Sequence, residues 1–264
     1  PPIEVPQGAI RLNTDSQKLE FFAQDRWYEM ATDVPNLGDA TNSTDTSGGA
    51  RGLIGGGSDG RTNATDYITV STAGDGQDFG DLTQARDQLG AGASRTRGIF
   101  AGGYTPSHSN RIDRYEISTL GDATDFGNLT SSRSHLGGCA DRTRGLFMGG
   151  RTAPGGHSEV VDFITISSAG DATDFGDLTQ SRSRTTGFNN STRGVRAGGN
   201  PETDTIDFGT IQTTGNFIDF GNLISSRRST LTSASPTRGI IACGQDPSSG
   251  NQGVNIIEFV TTAT

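Results

Sequence analysis

Arginine recurs at two fixed positions of this sequence, where a guanidinium group could form ion pairs or bind an anion. Five arginines stand in an Ala-Arg-Gly or Thr-Arg-Gly triplet: Arg51, Arg97, Arg144, Arg193 and Arg238. Four more stand seven residues after the phenylalanine of an Asp-Phe-Gly motif: Arg86, Arg133, Arg182 and Arg227. The motif itself supplies four aspartates: Asp78, Asp125, Asp174 and Asp219. Because a guanidinium group donates several hydrogen bonds in one plane, it pairs well with a carboxylate.

Two interpretations of this arginine and aspartate set are open. In the first, bidentate ion pairs and hydrogen bonds to carbonyl oxygens lock adjacent repeats together. In the second, the arginines line a channel and bind an anion. We favour the structural interpretation, because every repeat carries the same groups and a ligand site rarely needs one group in every repeat.

Signals for catalysis or metal binding are weak. The three histidines, His108, His135 and His157, lie far apart and form no metal-binding pair such as His-x-His. The glycine-rich segment 55–60 matches nucleotide-binding and nucleophile motifs, but no helix follows it, as both mechanisms require. The acidic turns at 121–128 and 170–177 lack the ligand spacing of an EF-hand loop. The sequence therefore predicts no catalytic residue, no metal and no cofactor.

The repeat predicts the elements that must position these residues. Successive Arg-Gly arginines are 46, 47, 49 and 45 residues apart, a spacing typical of β-propeller blades. Turn residues divide the second repeat into four β candidates, at 88–94, 97–103, 112–119 and 123–130. An acidic residue begins the third candidate of each repeat: Asp66, Asp113, Asp162, Asp207 and Glu258. With no helical periodicity, the chain is predicted to be all-β, with four-stranded units in a propeller.

Residues 31–264 resemble the kelch repeat, in which an apolar strand ends in a Gly-Gly doublet and an acidic, aromatic strand follows. The doublets stand at 56–57, 102–103, 149–150 and 198–199, and the fifth copy reads Cys243-Gly244. The sequence around the Asp-Phe-Gly motif is similar to the kelch-like repeats of virion structural proteins of tailed bacteriophages, including cyanophages. Residues 8–30 resemble a short hairpin segment of phage fibre and decoration proteins. The resemblance implies a virion location, with other virion proteins or a host-surface glycan or protein as partners.

Ring closure is predicted from the two ends of the sequence. The last copy stops after its third strand, whereas residues 31–38 read like the outer strand at 123–130. We therefore expect a five-bladed kelch-like propeller over 31–264, closed by an N-terminal strand at 31–38, which removes an unpaired sheet edge. Residues 1–30 then form a hairpin arm. The alternative is that Pro35 breaks this strand and the ring stays open.

Length variation between the copies falls mostly after the Gly-Gly doublet. The connections there are 58–65, 104–112, 151–161, 200–206 and 245–257. Such loops on a rigid frame indicate either a recognition surface or neutral drift, and both interpretations stay open. The candidate binding residues in these loops are Arg61, Tyr104, His108, Arg111, Arg151, His157, Asp204 and Gln245.

Composition narrows the function classes further. A formal net charge of −9 argues against nucleic-acid binding, which needs a basic surface. No apolar run is long enough for a membrane span. We expect Cys139 and Cys243 to be free, buried thiols. The leading hypothesis is a non-enzymatic virion component, either a capsid decoration or a tail or fibre protein. Two alternative functions remain open: a free carbohydrate-binding propeller lectin and a propeller glycoside hydrolase. Association into a homo-oligomer also remains open.

Overall fold

The computed structural model describes residues 5–13, 18–29, 51–58, 60–184, 186–246, 248, 250 and 252–262. These residues form 23 β-strands and no helix. Within them, no segment is both helical and apolar over the length that a membrane crossing needs. The all-β prediction is confirmed. The predicted closing strand at 31–38 lies outside the described residues.

The N-terminal residues form a three-stranded antiparallel sheet, one strand more than the predicted hairpin. Its strands are β1 (Ile10–Asn13), β2 (Lys18–Ala23) and β3 (Arg26–Glu29). Phe22 lies directly opposite Trp27, with ring centroids 5.3 Å apart, and the Arg11 guanidinium lies 4.2 Å from the Trp27 ring. These cross-strand contacts give this small sheet its own apolar face.

Five sheets of the repeat follow the N-terminal sheet, and we number them first to fifth in chain order. The second, third and fourth each have four antiparallel strands in the order of the chain, as the repeat predicts. The second sheet contains β7 (Gly90–Ala93), β8 (Arg97–Ala101), β9 (Arg111–Glu116) and β10 (Thr124–Asn128). The third contains β11 (Gly137–Ala140), β12 (Arg144–Thr152), β13 (Gly156–Thr165) and β14 (Thr173–Asp177). The fourth contains β15 (Gly187–Asn189), β16 (Arg193–Ala197), β17 (Thr205–Thr210) and β18 (Ile218–Asn222).

The first and fifth sheets have three described strands each. The first contains β4 (Arg51–Gly57), β5 (Thr62–Thr69) and β6 (Gln77–Asp81). The fifth contains β19 (Leu231–Ala234), β20 (Arg238–Ala242) and β23 (Ile257–Thr261). A small hairpin of β21 (Gln245–Asp246) and β22 (Gln252–Gly253) lies between β20 and β23 in the chain.

The hydrophobic core is divided into layers between successive sheets. One layer joins Ile99 and Phe126 of the second sheet to Phe147 and Ile164 of the third. Equivalent layers lie between the first and second, the third and fourth, and the fourth and fifth sheets. Sheets that pack face to face in chain order are the arrangement of propeller blades.

A β-bulge in each outer strand turns the phenylalanine of the Asp-Phe-Gly motif into these layers. In β10, Asp125 pairs with Asp113 and Gly127 pairs with Ile112, so Phe126 is skipped. Its side chain is only 3% exposed. The following glycine has a φ of 147°, a conformation that residues with a Cβ rarely adopt.

The bulge glycine also allows the outer edges of adjacent sheets to approach closely. The Gly170 N–H donates to the Phe126 carbonyl at 2.8 Å, and the Ala172 N–H donates to the Asn128 carbonyl at 2.8 Å. The Asp171 carboxylate accepts a bond from the Asn128 N–H at 2.9 Å. The same backbone pattern joins residues 79–81 to 121–123 and residues 175–177 to 215–217.

Gly127→Ala tests this edge contact. A Cβ at position 127 would lie 2.3 Å from the Gly170 carbonyl oxygen, so one sheet must move. Gly121 is the matched control, because its φ is 145° but its Cβ would meet nothing within 4 Å among the described residues. Both alanine variants carry backbone strain of about 1–3 kcal/mol. In urea unfolding, we expect Gly127→Ala to lose roughly 2 kcal/mol more than Gly121→Ala. Equal losses would show that the edge contact contributes nothing.

Candidate functional site

The arginine that follows each Asp-Phe-Gly motif is buried between two sheets and pairs with an acid of the next sheet. Arg133 follows β10, and its Nη2 lies 2.5 Å from Oδ2 of Asp162 in β13. Both side chains are fully buried. The equivalent pairs are Arg86–Asp113, Arg182–Asp207 and Arg227–Glu258.

Further hydrogen bonds surround each pair, although the Nε of each of the four arginines has no partner among the described residues. The Arg133 Nη1 donates to the carbonyl oxygens of Gly149 and Val160, at 2.7 and 2.6 Å. Thr130 donates its N–H and its hydroxyl to the Asp162 carboxylate, at 3.1 and 2.7 Å. Burial lowers the pKa of Arg133, and the Asp162 charge opposes this effect. A buried ion pair is tolerated when its groups are hydrogen-bonded in this way.

The last pair differs in two linked ways. Ile224 stands where the other copies have threonine, so a hydroxyl donor is missing, and the acid is Glu258 rather than aspartate. The Ile224 N–H still donates to the Glu258 carboxylate at 3.0 Å. The pairing position is therefore retained although both side chains change.

The aspartates of the Asp-Phe-Gly motif are not the partners of these arginines. All four are exposed. The Asp125 carboxylate accepts a hydrogen bond from the Gly127 N–H of its own bulge at 3.1 Å. The bulge explains the difference, because it turns the phenylalanine inward and leaves the preceding aspartate outside.

The arginines of the Arg-Gly triplets also connect adjacent sheets. Arg144 lies over the Phe163 ring of its own sheet, 4.6 Å from the centroid, and donates to the Ile211 carbonyl beyond β17 at 3.2 Å. The equivalent bonds to carbonyl oxygens are Arg51–Ile117, Arg97–Ile166 and Arg193–Thr262. Arg238 lies over Phe259. These contacts hold adjacent sheets together, so these arginines have a structural role in the framework.

A second repeated feature lies at the end of the strands opposite to the Arg-Gly arginines. In the segment that follows each outer strand, one residue adopts a left-handed conformation with φ between 53° and 59°. These four residues are Gln88, His135, Arg184 and Ser229. The N–H of each later member donates to the carbonyl of the preceding member, at 2.8, 3.2 and 2.7 Å in chain order. This chain of backbone bonds links four successive sheets.

The residues next to these four pair with the residue after the Gly-Gly doublet. The backbone bridges are Asp87–Tyr104, Ser134–Arg151, Ser183–Asn200 and Arg228–Gln245. We call the surface formed by these bridges and the left-handed residues the loop face. Three of the predicted binding residues, Tyr104, Arg151 and Gln245, stand at one equivalent backbone position on it.

The loop face contains a cleft of about 530 Å³. The cleft brings together Tyr104, His108 and Arg151 from the predicted set. His135 and Arg184, which the sequence did not single out, also line it. The other lining residues are Gln88, Pro106, Ser107, Ser134, Ala153, Pro154 and Gly155. None of the described lining residues is acidic.

All three histidines of the chain lie at or beside this cleft. The Ser134 hydroxyl contacts Nδ1 of His108 at 3.1 Å and Nδ1 of His135 at 3.2 Å. His157 Nδ1 contacts the Ser183 hydroxyl at 3.0 Å. Burial lowers the pKa of His135 to about 4, with the Arg184 charge adding to the effect. Burial and nearby arginine also lower the pKa of His108 and His157, so neutral imidazoles are favoured at pH 7.

The other predicted binding residues lie at the edge of the cleft or away from it. Arg61 lies over the Tyr104 ring at 5.1 Å and 4.0 Å from the Asp87 carboxylate. Gln245 accepts a bond from Arg228 at 3.1 Å. Arg111 donates to the Thr83 hydroxyl at 3.4 Å, towards the outer strand. Asp204 supplies a backbone carbonyl to the Leu223 N–H at 2.7 Å.

Two expectations need correction. The segment 151–161 is mostly strand, because β12 and β13 extend into a hairpin whose turn is only 153–155. Strands β5, β9 and β17 likewise begin inside the predicted loops, and 245–257 contains the β21–β22 hairpin. Both cysteines are free, but only Cys139 is buried, whereas Cys243 is exposed.

The described part of the chain contains no cluster of three or more metal-ligating side chains. No family model matches the sequence, and the search of curated proteins finds no match. The cleft itself therefore carries the functional argument.

Proposed function

We propose that the protein is a non-enzymatic binding protein that recognises its partner through the loop face. One observation carries this proposal: side chains differ between repeats on this face although the backbone is the same. The four left-handed residues share one conformation and one hydrogen-bond pattern, yet they are Gln88, His135, Arg184 and Ser229. The bridge position after the doublet likewise holds Tyr104, Arg151, Asn200 and Gln245.

The opposite end of the strands argues against neutral drift as the explanation. There, the turn between the first and second strand of a sheet keeps its chemistry. In each of these turns, the N–H of the Arg-Gly arginine donates a hydrogen bond to a polar side chain three residues earlier. The accepting side chains are those of Ser94, Asp141, Asn190 and Ser235. A threonine precedes the arginine in all four turns. Drift would act on both ends, whereas the variation is concentrated on the loop face.

The alternatives receive less support from the same residues. A propeller lectin with equal sites would repeat its aromatic and acidic groups at equivalent positions, and the loop face does not repeat them. A glycoside hydrolase of the usual kind uses two carboxyl groups, and the described lining of the cleft has none. A composite cleft that residues of different repeats line together fits a binding role better than either.

We further propose that this binding protein belongs to a phage virion, as a decoration or a tail or fibre component. The support is the sequence resemblance to kelch-like virion proteins. A partner on the host surface or on another virion protein fits a rigid frame with one variable end.

The array of sheets is proposed to close as a five-bladed ring. In each inner layer, the residue three positions after the Arg-Gly arginine faces the preceding sheet, as Phe147 does. Ile54, the equivalent residue of the first sheet, is 59% exposed. Ile240 and Phe259 of the fifth sheet are 44% and 58% exposed. Closure would bury these apolar faces against each other, with 31–38 as the closing strand.

Thiol labelling tests closure. We expect Ile54→Cys, in a Cys243→Ser background, to react at least tenfold more slowly than Cys243 of the unaltered chain. Cys139 does not interfere, because burial raises its pKa to about 12. Deleting residues 1–38 should make the new thiol reactive, and deleting 1–26 should not. Rapid labelling in the full-length monomer would contradict the closed ring.

Cell binding tests recognition. We expect the labelled protein to bind host cells, and Tyr104→Ser with Arg151→Ser to reduce that binding at least tenfold. Serine occurs naturally at the equivalent position, Ser58. The matched control is Arg95→Ser with Arg142→Ser in the turns of the opposite end. Equal effects of the two variants would contradict a role for the loop face. Mass spectrometry of purified particles tests the virion assignment, and absence of the chain would overturn it.

A further inference from the structure

The charge of the cleft is opposite to that of the whole chain. The chain has a formal net charge of −9. The described cleft lining contains two arginines, Arg151 and Arg184, and no carboxylate. Because the described lining of the cleft contains arginines and no acidic residue, its local electrostatic potential is positive and attracts anions, although the protein as a whole is acidic.

The two arginines differ from the framework arginines in having no partner. Within the described part of the chain, neither Arg151 nor Arg184 forms a side-chain hydrogen bond or a salt bridge. The Nε of Arg184 is buried and lacks a hydrogen-bond partner, as the Nε of the ion-paired arginines does, but Arg184 has no ion pair among the described residues to compensate for it. Burying such a donor costs free energy unless a bond is made. The charges of both arginines reach His135 and His157, so the two guanidinium groups act on one small region.

The rest of the cleft suits a ligand of saccharide size. Its volume of about 530 Å³ is within the range of small-molecule sites. Pro106, Ala153 and Pro154 supply apolar surface. His108 and His135 each use Nδ1 on the Ser134 hydroxyl, which leaves their Nε2 atoms for a ligand hydroxyl.

We propose that the cleft binds an acidic saccharide, whose anionic group lies between Arg151 and Arg184. This inference rests on the proposed recognition role of the loop face and names its ligand class. The anionic group is a carboxylate or a sulfate, since both accept hydrogen bonds from guanidinium groups. The neutral imidazoles and the apolar wall hold the sugar ring.

Calorimetric titration of the full chain at pH 7 tests the proposal. The probes are trigalacturonate, which carries only carboxylates, a carrageenan-derived tetrasaccharide, which carries only sulfates, neutral maltotriose and a tetraglutamate peptide. We expect one of the two acidic saccharides to bind at least tenfold more tightly than maltotriose and the peptide. The acidic saccharide that binds identifies the anionic group as carboxylate or sulfate.

Two glutamine variants locate the site. Glutamine occurs naturally at both backbone positions, as Gln88 and Gln245, so Arg184→Gln and Arg151→Gln should fold. Each should weaken saccharide binding at least tenfold. Arg95→Gln, in the turn after β7, removes the same charge from the opposite end and should leave binding unchanged.

Three results would overturn the proposal: equal binding of maltotriose, equal binding of tetraglutamate, or unchanged saccharide affinity in both glutamine variants. The cell-binding assay separates this failure from failure of the recognition role. If cell binding still depends on Tyr104 but no acidic saccharide binds, the loop face recognises something else. If cell binding does not depend on Tyr104 and Arg151 either, the recognition role itself is wrong.

Discussion

The buried arginine–acid pairs are the interaction on which the arrangement of sheets depends. Each pair joins a segment after one outer strand to the third strand of the next sheet, as Arg133 and Asp162 do. Removing one partner would leave a charge without compensation in a dry layer, at a cost of about 3–5 kcal/mol. This constraint explains why the arginine recurs in four copies, and why the change of acid to Glu258 accompanies the change of threonine to Ile224.

Because the pairs and the edge bonds fix the sheets, the loop face is free to vary. The same backbone conformation carries His135 in one sheet and Arg184 in the next without any change of register. A rigid frame lowers the entropy cost of ordering a binding site. The division between a repeated frame and a variable end is what connects the fold to the proposed recognition role.

Local sequence patterns predicted the strands well and the long-range pairs poorly. The apolar strand predicted at 97–103 corresponds to β8, which ends two residues earlier at Ala101, and its apolar residues are continuous because they are buried on both faces. The partner of Arg133 was not predicted, because Asp125 is nearer in sequence while Asp162 meets it only through sheet packing. The recurring acid of the third strand was the signal that could have found it. Arg196 had no such signal: it is fully buried where another copy has Phe147, and it donates to the Met148 carbonyl.

A double-mutant cycle on one buried pair tests the central claim most directly. Arg133→Met, Asp162→Leu and the double variant are compared by urea unfolding, with Arg133→Met and Asp125→Ala as the parallel cycle. We expect each variant of the buried pair to lose about 3–5 kcal/mol, and the double variant to lose at least about 2 kcal/mol less than the sum. The parallel cycle should be additive. Additive losses for Arg133 and Asp162 would contradict the claim that this pair holds adjacent sheets together.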